Sequence, residues 1–179
     1  KILLFGDSLM SGYGLEENQA LYLILENDLK EAGYNIKVIN GSVSGDTSQD
    51  GLVRIEEYTF NGEIDLIILG LGANDMLRRI NPNQTEDNLR KIIEILRDKN
   101  IKTILAGMKA PPSNGLGYKR KFDNIYLKLA KEYDLILIPF LLDKVALNPK
   151  LNQNDGIHPN YDGAKVISET LKKSIINLQ

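Results

Sequence analysis

The sequence contains no cysteine and no tryptophan, three methionines and a single histidine, His158. Without a thiol and with one imidazole it cannot assemble a zinc site, an iron–sulfur cluster or a pair of haem ligands. The lack of cysteine makes no redox demand and fits the cytosol as well as an oxidising compartment. Charge of one sign is not in excess either: 22 Lys and Arg face 24 Asp and Glu, for a net charge of −2. No basic surplus exists to neutralise a phosphate backbone or to hold an anionic membrane, which excludes nucleic acid as a partner. Long hydrophobic runs are missing as well. The longest are about six residues, far short of the roughly 20 that span a bilayer as a helix. An initiator Met is also absent, since the chain opens on Lys1-Ile2-Leu3-Leu4-Phe5, and we read a removed leader there.

What is present is the balance of a folded chain: 179 residues, 42% hydrophobic and 26% charged. We expect one domain over residues 1–179, large enough to bury roughly 70% of the surface its unfolded chain would expose. Short apolar runs suited to strands covered on both faces recur at 2–5, 36–39, 66–71, 103–106 and 135–138. Helical periodicity lies between and after them, at 21–32, 48–58, 85–99, 119–133 and 164–178. In one of these, Leu89, Ile92, Ile93 and Leu96 share a face while Arg90, Lys91 and Glu94 point elsewhere. Turn chemistry marks some ends, with Thr85 and Asn88 at a start and Gly33 after Ala32 at a stop. Strands alternating with helices predict a three-layer α/β sandwich around a parallel sheet of about five strands.

That architecture puts ligands outside the carboxyl ends of the strands, and there the unusual residues gather. Gly6-Asp7-Ser8 follows the first run, residues 41–47 the second and Gly72-Ala73-Asn74-Asp75 the third, while loop 147–160 holds Asp155 and His158. Each has an ordinary reading. Ser8 suits a helix N-cap, Gly45 a turn with positive φ, and Asn74 a cap or Asx-turn. A serine nucleophile, however, needs a base and a group that orients it. Asp155, three residues before His158, can reach Nδ1 and leave Nε2 facing outward. Donors aimed at a developing oxyanion complete an acyl-transfer site, and the Gly45 N–H and Asn74 amide can supply them. All of these together, at strand ends, favour chemistry over coincidence.

Gly6-Asp7-Ser8-Leu9, Gly45, Gly72-Ala73-Asn74-Asp75 and Asp155-Gly156-Ile157-His158-Pro159 resemble the blocks of the SGNH, or GDSL, hydrolases, in that family's order and over nearly the whole chain. Val43-Ser44-Gly45-Asp46-Thr47-Ser48 and Met108-Lys109-Ala110-Pro111-Pro112 resemble its arylesterase and thioesterase I/lysophospholipase L1 branch. The resemblance implies a flavodoxin-like sheet order 2-1-3-4-5 and no metal or organic cofactor. It implies Ser8 as nucleophile, His158 as base and Asp155 as its orienting carboxylate, with the Ser8 and Gly45 N–H groups and the Asn74 amide as oxyanion hole. The implied substrate is a small ester or thioester, lipid-derived ones included, and the implied location is periplasmic or secreted. Two positions depart from the pattern. Gly70 stands where many relatives of this branch carry Glu, and Arg79 where a small residue is usual.

The acyl pocket is expected from loops 76–81 and 111–118. The substrate contacts expected are Asp7, Leu9, Met76, Leu77, Arg79, Ile80, Pro111, Pro112, Tyr118 and Ile157. Other motifs fail on inspection. Gly70-Leu71-Gly72-Ala73-Asn74-Asp75 lacks the last glycine of a dinucleotide fingerprint, and no Gly-x-Ser-x-Gly elbow occurs. Lys119-Arg120-Lys121 reads as a solvated helix start. The rival readings are a carbohydrate acetylesterase on the same scaffold and a flavodoxin-like module that binds a nucleotide or flavin phosphate.

Overall fold

The structure is a computed structural model that describes residues 1–178. Its strands are β1 (Ile2–Gly6), β2 (Val38–Asn40), β3 (Leu66–Gly70), β4 (Lys102–Ala106) and β5 (Ile136–Ile138). They pair in parallel in the order β2-β1-β3-β4-β5. The helices are α1 (Ser8–Ser11), α2 (Leu21–Glu31), α3 (Ser48–Thr59), α4 (Ala73–Leu77), α5 (Pro82–Asp98), α6 (Leu116–Tyr133) and α7 (Tyr161–Ile176). Right-handed crossovers send α2 to one face of the sheet and α3, α5 and α6 to the other, and α7 returns beside α2. The three-layer sandwich and its strand order are those expected. Every residue of β1 and β3 is buried, which is why both read as unbroken apolar runs rather than as alternating strands.

Several boundaries differ from the expected ones. The second strand is Val38–Asn40 instead of 36–39, because β1 offers partners only from Ile2, whose register partner is Val38. The Val38 N–H goes to the Glu26 carboxylate at 2.8 Å. The third long helix, α5, starts at Pro82, not Thr85. Asn81 caps it by accepting from the Asn83 N–H at 3.0 Å, with proline in the first turn. Thr85 instead gives its hydroxyl to Asp75 at 3.0 Å. The last helix begins at Tyr161, capped by the Asn160 side chain on the Gly163 N–H. The helices α1 and α4 lie outside the five predicted helical segments. Both are single turns directly behind a strand, and both carry candidate site residues.

Gly6 and Gly70 face each other across β1 and β3. A Cβ at Gly70 would lie 2.3 Å from the Met10 sulfur, and one at Gly6 would lie 2.7 Å from it. Met10 is fully buried. The space over the two facing glycines is therefore filled by the buried Met10 side chain.

Candidate active site

The site forms where β1, β2 and β3 end. After Gly6 the chain turns into α1, and the Asp7 carboxylate caps that turn by accepting the Leu9 N–H at 3.0 Å. Ser8 thereby stands on the first residue of a helix, with its side chain at the strand ends. Its Oγ lies 2.9 Å from His158 Nε2. On the far side of the ring, Nδ1 lies 2.6 Å from Asp155 Oδ2. The other oxygen, Asp155 Oδ1, accepts the N–H groups of Ile157 at 2.9 Å and His158 at 3.0 Å. The His158 and Ile157 N–H groups and the imidazole hold the Asp155 carboxyl down at about 2. It is ionised at any working pH, so Nδ1 carries the proton that bonds to it and Nε2 is left to accept from the serine hydroxyl.

The loop that carries the histidine is held from both ends. The Gln153 N–H donates to the His158 carbonyl at 2.8 Å. The Gln153 amide donates to the Pro159 carbonyl at 2.9 Å and, across the site, to the Tyr13 carbonyl at 2.7 Å. Tyr13 lies just beyond α1, with its ring centroid 4.5 Å from that of His158. Neither Tyr13 nor Gln153 stands out in the sequence, because their role arises only when segments 140 residues apart meet.

Three N–H donors at these strand ends are the candidates for holding an oxyanion. Among the described residues the Ser8 and Gly45 N–H groups have no protein acceptor. Gly45 sits at φ +90°, and a Cβ there would meet only Arg78 Nη2, in ordinary contact at 4.0 Å, so the left-handed backbone, not crowding, requires glycine. Asn74, on α4, donates one amide hydrogen to the Asp46 carbonyl at 2.9 Å and keeps the second free. Arg78 donates to the Gly45 carbonyl at 2.8 Å. Beneath this face, the buried Asp75 accepts the Ser48 N–H at 2.8 Å and the Ser48 and Thr85 hydroxyls, tying α3, α4 and α5 together. No group of three or more His, Cys, Asp and Glu side chains able to hold a metal occurs among the described residues. No helix among them is long and apolar enough to cross a membrane.

The expected substrate contacts divide. Asp7 and Leu9 are buried, Asp7 completely, and so have no surface to offer a substrate: one is a helix cap and the other is core. Loops 76–81 and 111–118 do meet. Asn114 donates to the Met76 carbonyl at 2.9 Å, Arg79 to that of Ser113 at 3.4 Å and Tyr118 to that of Asp75 at 3.5 Å. Along this rim Leu77 is 56% exposed, Pro111 and Pro112 are exposed, and Met76, Ile80 and Tyr118 are half-buried. Arg79 holds a left-handed φ of +54°, so the departure from a small residue lies on a strained turn. Ile157, 47% exposed, lies on the histidine loop, apart from these two.

Asp7 carries a measurable cost. Burial pushes its carboxyl up to about 7 despite the Leu9 bond, and Asp75 and Asp46 add to the rise. Its second oxygen is buried without a partner among the described residues. The folded state therefore keeps a proton that the unfolded state releases near pH 4, so stability falls as pH rises from about 4 to about 7, by on the order of 4 kcal/mol. Asp7→Asn keeps the cap oxygen and removes the titration. Urea unfolding between pH 4 and 9 should show the variant without this slope and more stable than the parent above pH 7. Parallel curves would disprove the assignment.

Residues 4–166 match the GDSL-like lipase/acylhydrolase family. Thioesterase 1/protease 1/lysophospholipase L1 of Escherichia coli K12 is 38% identical over 174 residues, 97% of this chain and 82% of that protein. The arylesterase of Vibrio mimicus is 35% identical over 176 residues, 98% and 88% of the two chains. A crystal structure of TesA superposes with a TM-score of 0.93 at 32% identity, covering 99% of both chains. AlinE4, an SGNH-hydrolase family esterase, gives 0.83 at 40% identity, over 99% of this chain and 95% of that one. With a family match over most of its length and relatives this similar across nearly all of it, the chain belongs to the GDSL-like lipase/acylhydrolase family.

Proposed function

We propose that this chain, acting as one catalytic unit, hydrolyses carboxylic esters and thioesters through an acyl-enzyme on Ser8. The observation that carries the reading is the unbroken line of hydrogen bonds from Ser8 Oγ through His158 to Asp155. In this reading Ser8 Oγ attacks the carbonyl carbon while its proton passes to His158 Nε2. The carbonyl oxygen becomes an oxyanion bound by the Ser8 and Gly45 N–H groups and the Asn74 amide. Asp155 stabilises the imidazolium that has formed. Collapse breaks the bond to the leaving oxygen or sulfur, which takes the proton from Nε2 and departs as alcohol or thiol. Water then attacks the acyl-Ser8 carbonyl, giving its proton to Nε2 and restoring the hydroxyl as the free acid leaves.

The joined rim of loops 76–81 and 111–118 borders the acyl chain, with Met76, Leu77, Ile80 and Tyr118 as its apolar surface. The resemblance to arylesterase and to thioesterase 1/lysophospholipase L1 supports small esters and thioesters, lipid-derived ones included, as substrates. The test is a panel of p-nitrophenyl esters and acyl thioesters from two to twelve carbons. Turnover should extend beyond acetyl in both series. Activity confined to acetyl groups on sugars would favour the carbohydrate acetylesterase instead.

A further inference from the structure

Outside the triad, one side chain ties together the strand ends on which the site is built. Arg54 projects from α3, and only 13% of its side chain is exposed. Its Nε donates to Asp46 Oδ2 at 2.5 Å, its Nη1 to the Gly41 carbonyl and its Nη2 to the Gly6 carbonyl at 3.1 Å. The guanidinium carbon lies 4.0 Å from the Phe5 ring centroid, so the flat ion is held by a ring as well as by three acceptors. These partners matter by position. Gly6 is two residues before Ser8, and its carbonyl also accepts the Val43 N–H at 3.1 Å. Gly41 and Asp46 bracket the loop that carries Gly45, whose N–H the proposed function assigns to the oxyanion. Asp46 is held twice, its carboxylate by Arg54 and its carbonyl by the Asn74 amide.

We propose that Arg54 is a positioning residue for the oxyanion hole, its guanidinium fixing the 41–46 loop against the strand end that leads to Ser8. The inference rests on the functional reading above. Arg54 touches no substrate. It sets where the Gly45 N–H and, through Asp46, the Asn74 amide stand when charge develops on the carbonyl oxygen. Donors that drift by about 1 Å lose on the order of 10²-fold in rate without losing the ground-state substrate. Lysine cannot replace it, because an ammonium lacks the planar fork that reaches three acceptors.

The experiment compares the parent chain with Arg54→Met, Arg54→Lys and the double variant Arg54→Met/Asp46→Asn on p-nitrophenyl butyrate. Fluorophosphonate labelling of Ser8 and thermal unfolding are followed in parallel. Arg54→Met should lower kcat by about 10–100-fold with KM within about threefold, and labelling should slow with kcat because the phosphoryl oxygen uses the same donors. Arg54→Lys should fall between the two. Arg54→Met also leaves the Asp46 carboxylate unpaired and little exposed, which lowers stability. Adding Asp46→Asn removes that charge, so Tm should recover while kcat stays low. If kcat returns with Tm, or if folded Arg54→Met or Arg54→Lys turns over like the parent, Arg54 supports the fold alone and the proposal is wrong. Should Arg54→Met fail to fold, the lysine and double variants decide. A parent chain that neither turns over nor labels at Ser8 would overturn the functional reading itself, a result distinct from all of these.

Discussion

Asp155→Asn should lower kcat by about 10⁴-fold while leaving the fold intact. The size follows from geometry. Asp155 Oδ1 is fixed by the N–H groups of Ile157 and His158, so an asparagine there must keep its oxygen toward those donors. Its NH₂ then faces His158 Nδ1, which has to become an acceptor, and the ring proton moves to Nε2. An Nε2–H pointing at Ser8 Oγ cannot take the serine proton. The contact survives and the base is lost. Steady-state kinetics on an aryl ester measures this directly, and a rate within tenfold of the parent would remove Asp155 from the triad. The same carboxyl gives a stability signature at low pH. Its folded value of about 2 lies below the ordinary 3.8, so its stabilisation is complete above pH 4 and is lost as pH falls through about 2. Asp155→Asn should abolish that acid limb while leaving the Asp7 slope at higher pH unchanged.

Asn74→Ala should cost roughly 10²–10³-fold in kcat with little change in KM, as expected of a donor used mainly in the transition state. The amide can be deleted without moving Ser8 or His158, so fluorophosphonate labelling should persist at a reduced rate. The Asp46 carbonyl loses its Asn74 partner at the same time, and a thermal melt separates that structural cost from the kinetic one. If KM rises and kcat holds, the amide binds only the ground state. The oxyanion would then rest on the two backbone N–H groups.

The blocks around Ser8, Gly45 and Asn74 were legible because each follows an apolar strand, where the unusual residues of a parallel α/β sheet collect, and Asp155 and His158 because the sole histidine stands three residues after a carboxylate in the long loop beyond β5. Ser8, His158 and Asp155 come together at the strand ends at hydrogen-bonding distances, and the Asn74 amide reaches the Asp46 carbonyl, one residue past Gly45. The short helices under Ser8 and Asn74 leave no periodic signal, since a single turn carries no 3.6-residue period. The start of α5 was misplaced because Thr85 resembles a cap, while the real cap, Asn81 before Pro82, sits outside the apolar pattern. Asp7 passed for a substrate contact because sequence adjacency to Ser8 says nothing of which way a side chain turns. Arg54 and Gln153 were invisible for a different reason. Their partners lie as much as 48 and 140 residues away, and no local pattern encodes a bond closed only by the folded sheet.

The most direct measurement of the central claim is mass spectrometry of the intact, folded chain after reaction with a fluorophosphonate. Ser8 Oγ is the hydroxyl that meets the His158 base at 2.9 Å. The account predicts a single adduct on the peptide that contains Ser8, and none in a Ser8→Ala variant that melts like the parent. An adduct at Ser11, Ser42 or Ser44, or no adduct on folded protein, would contradict it.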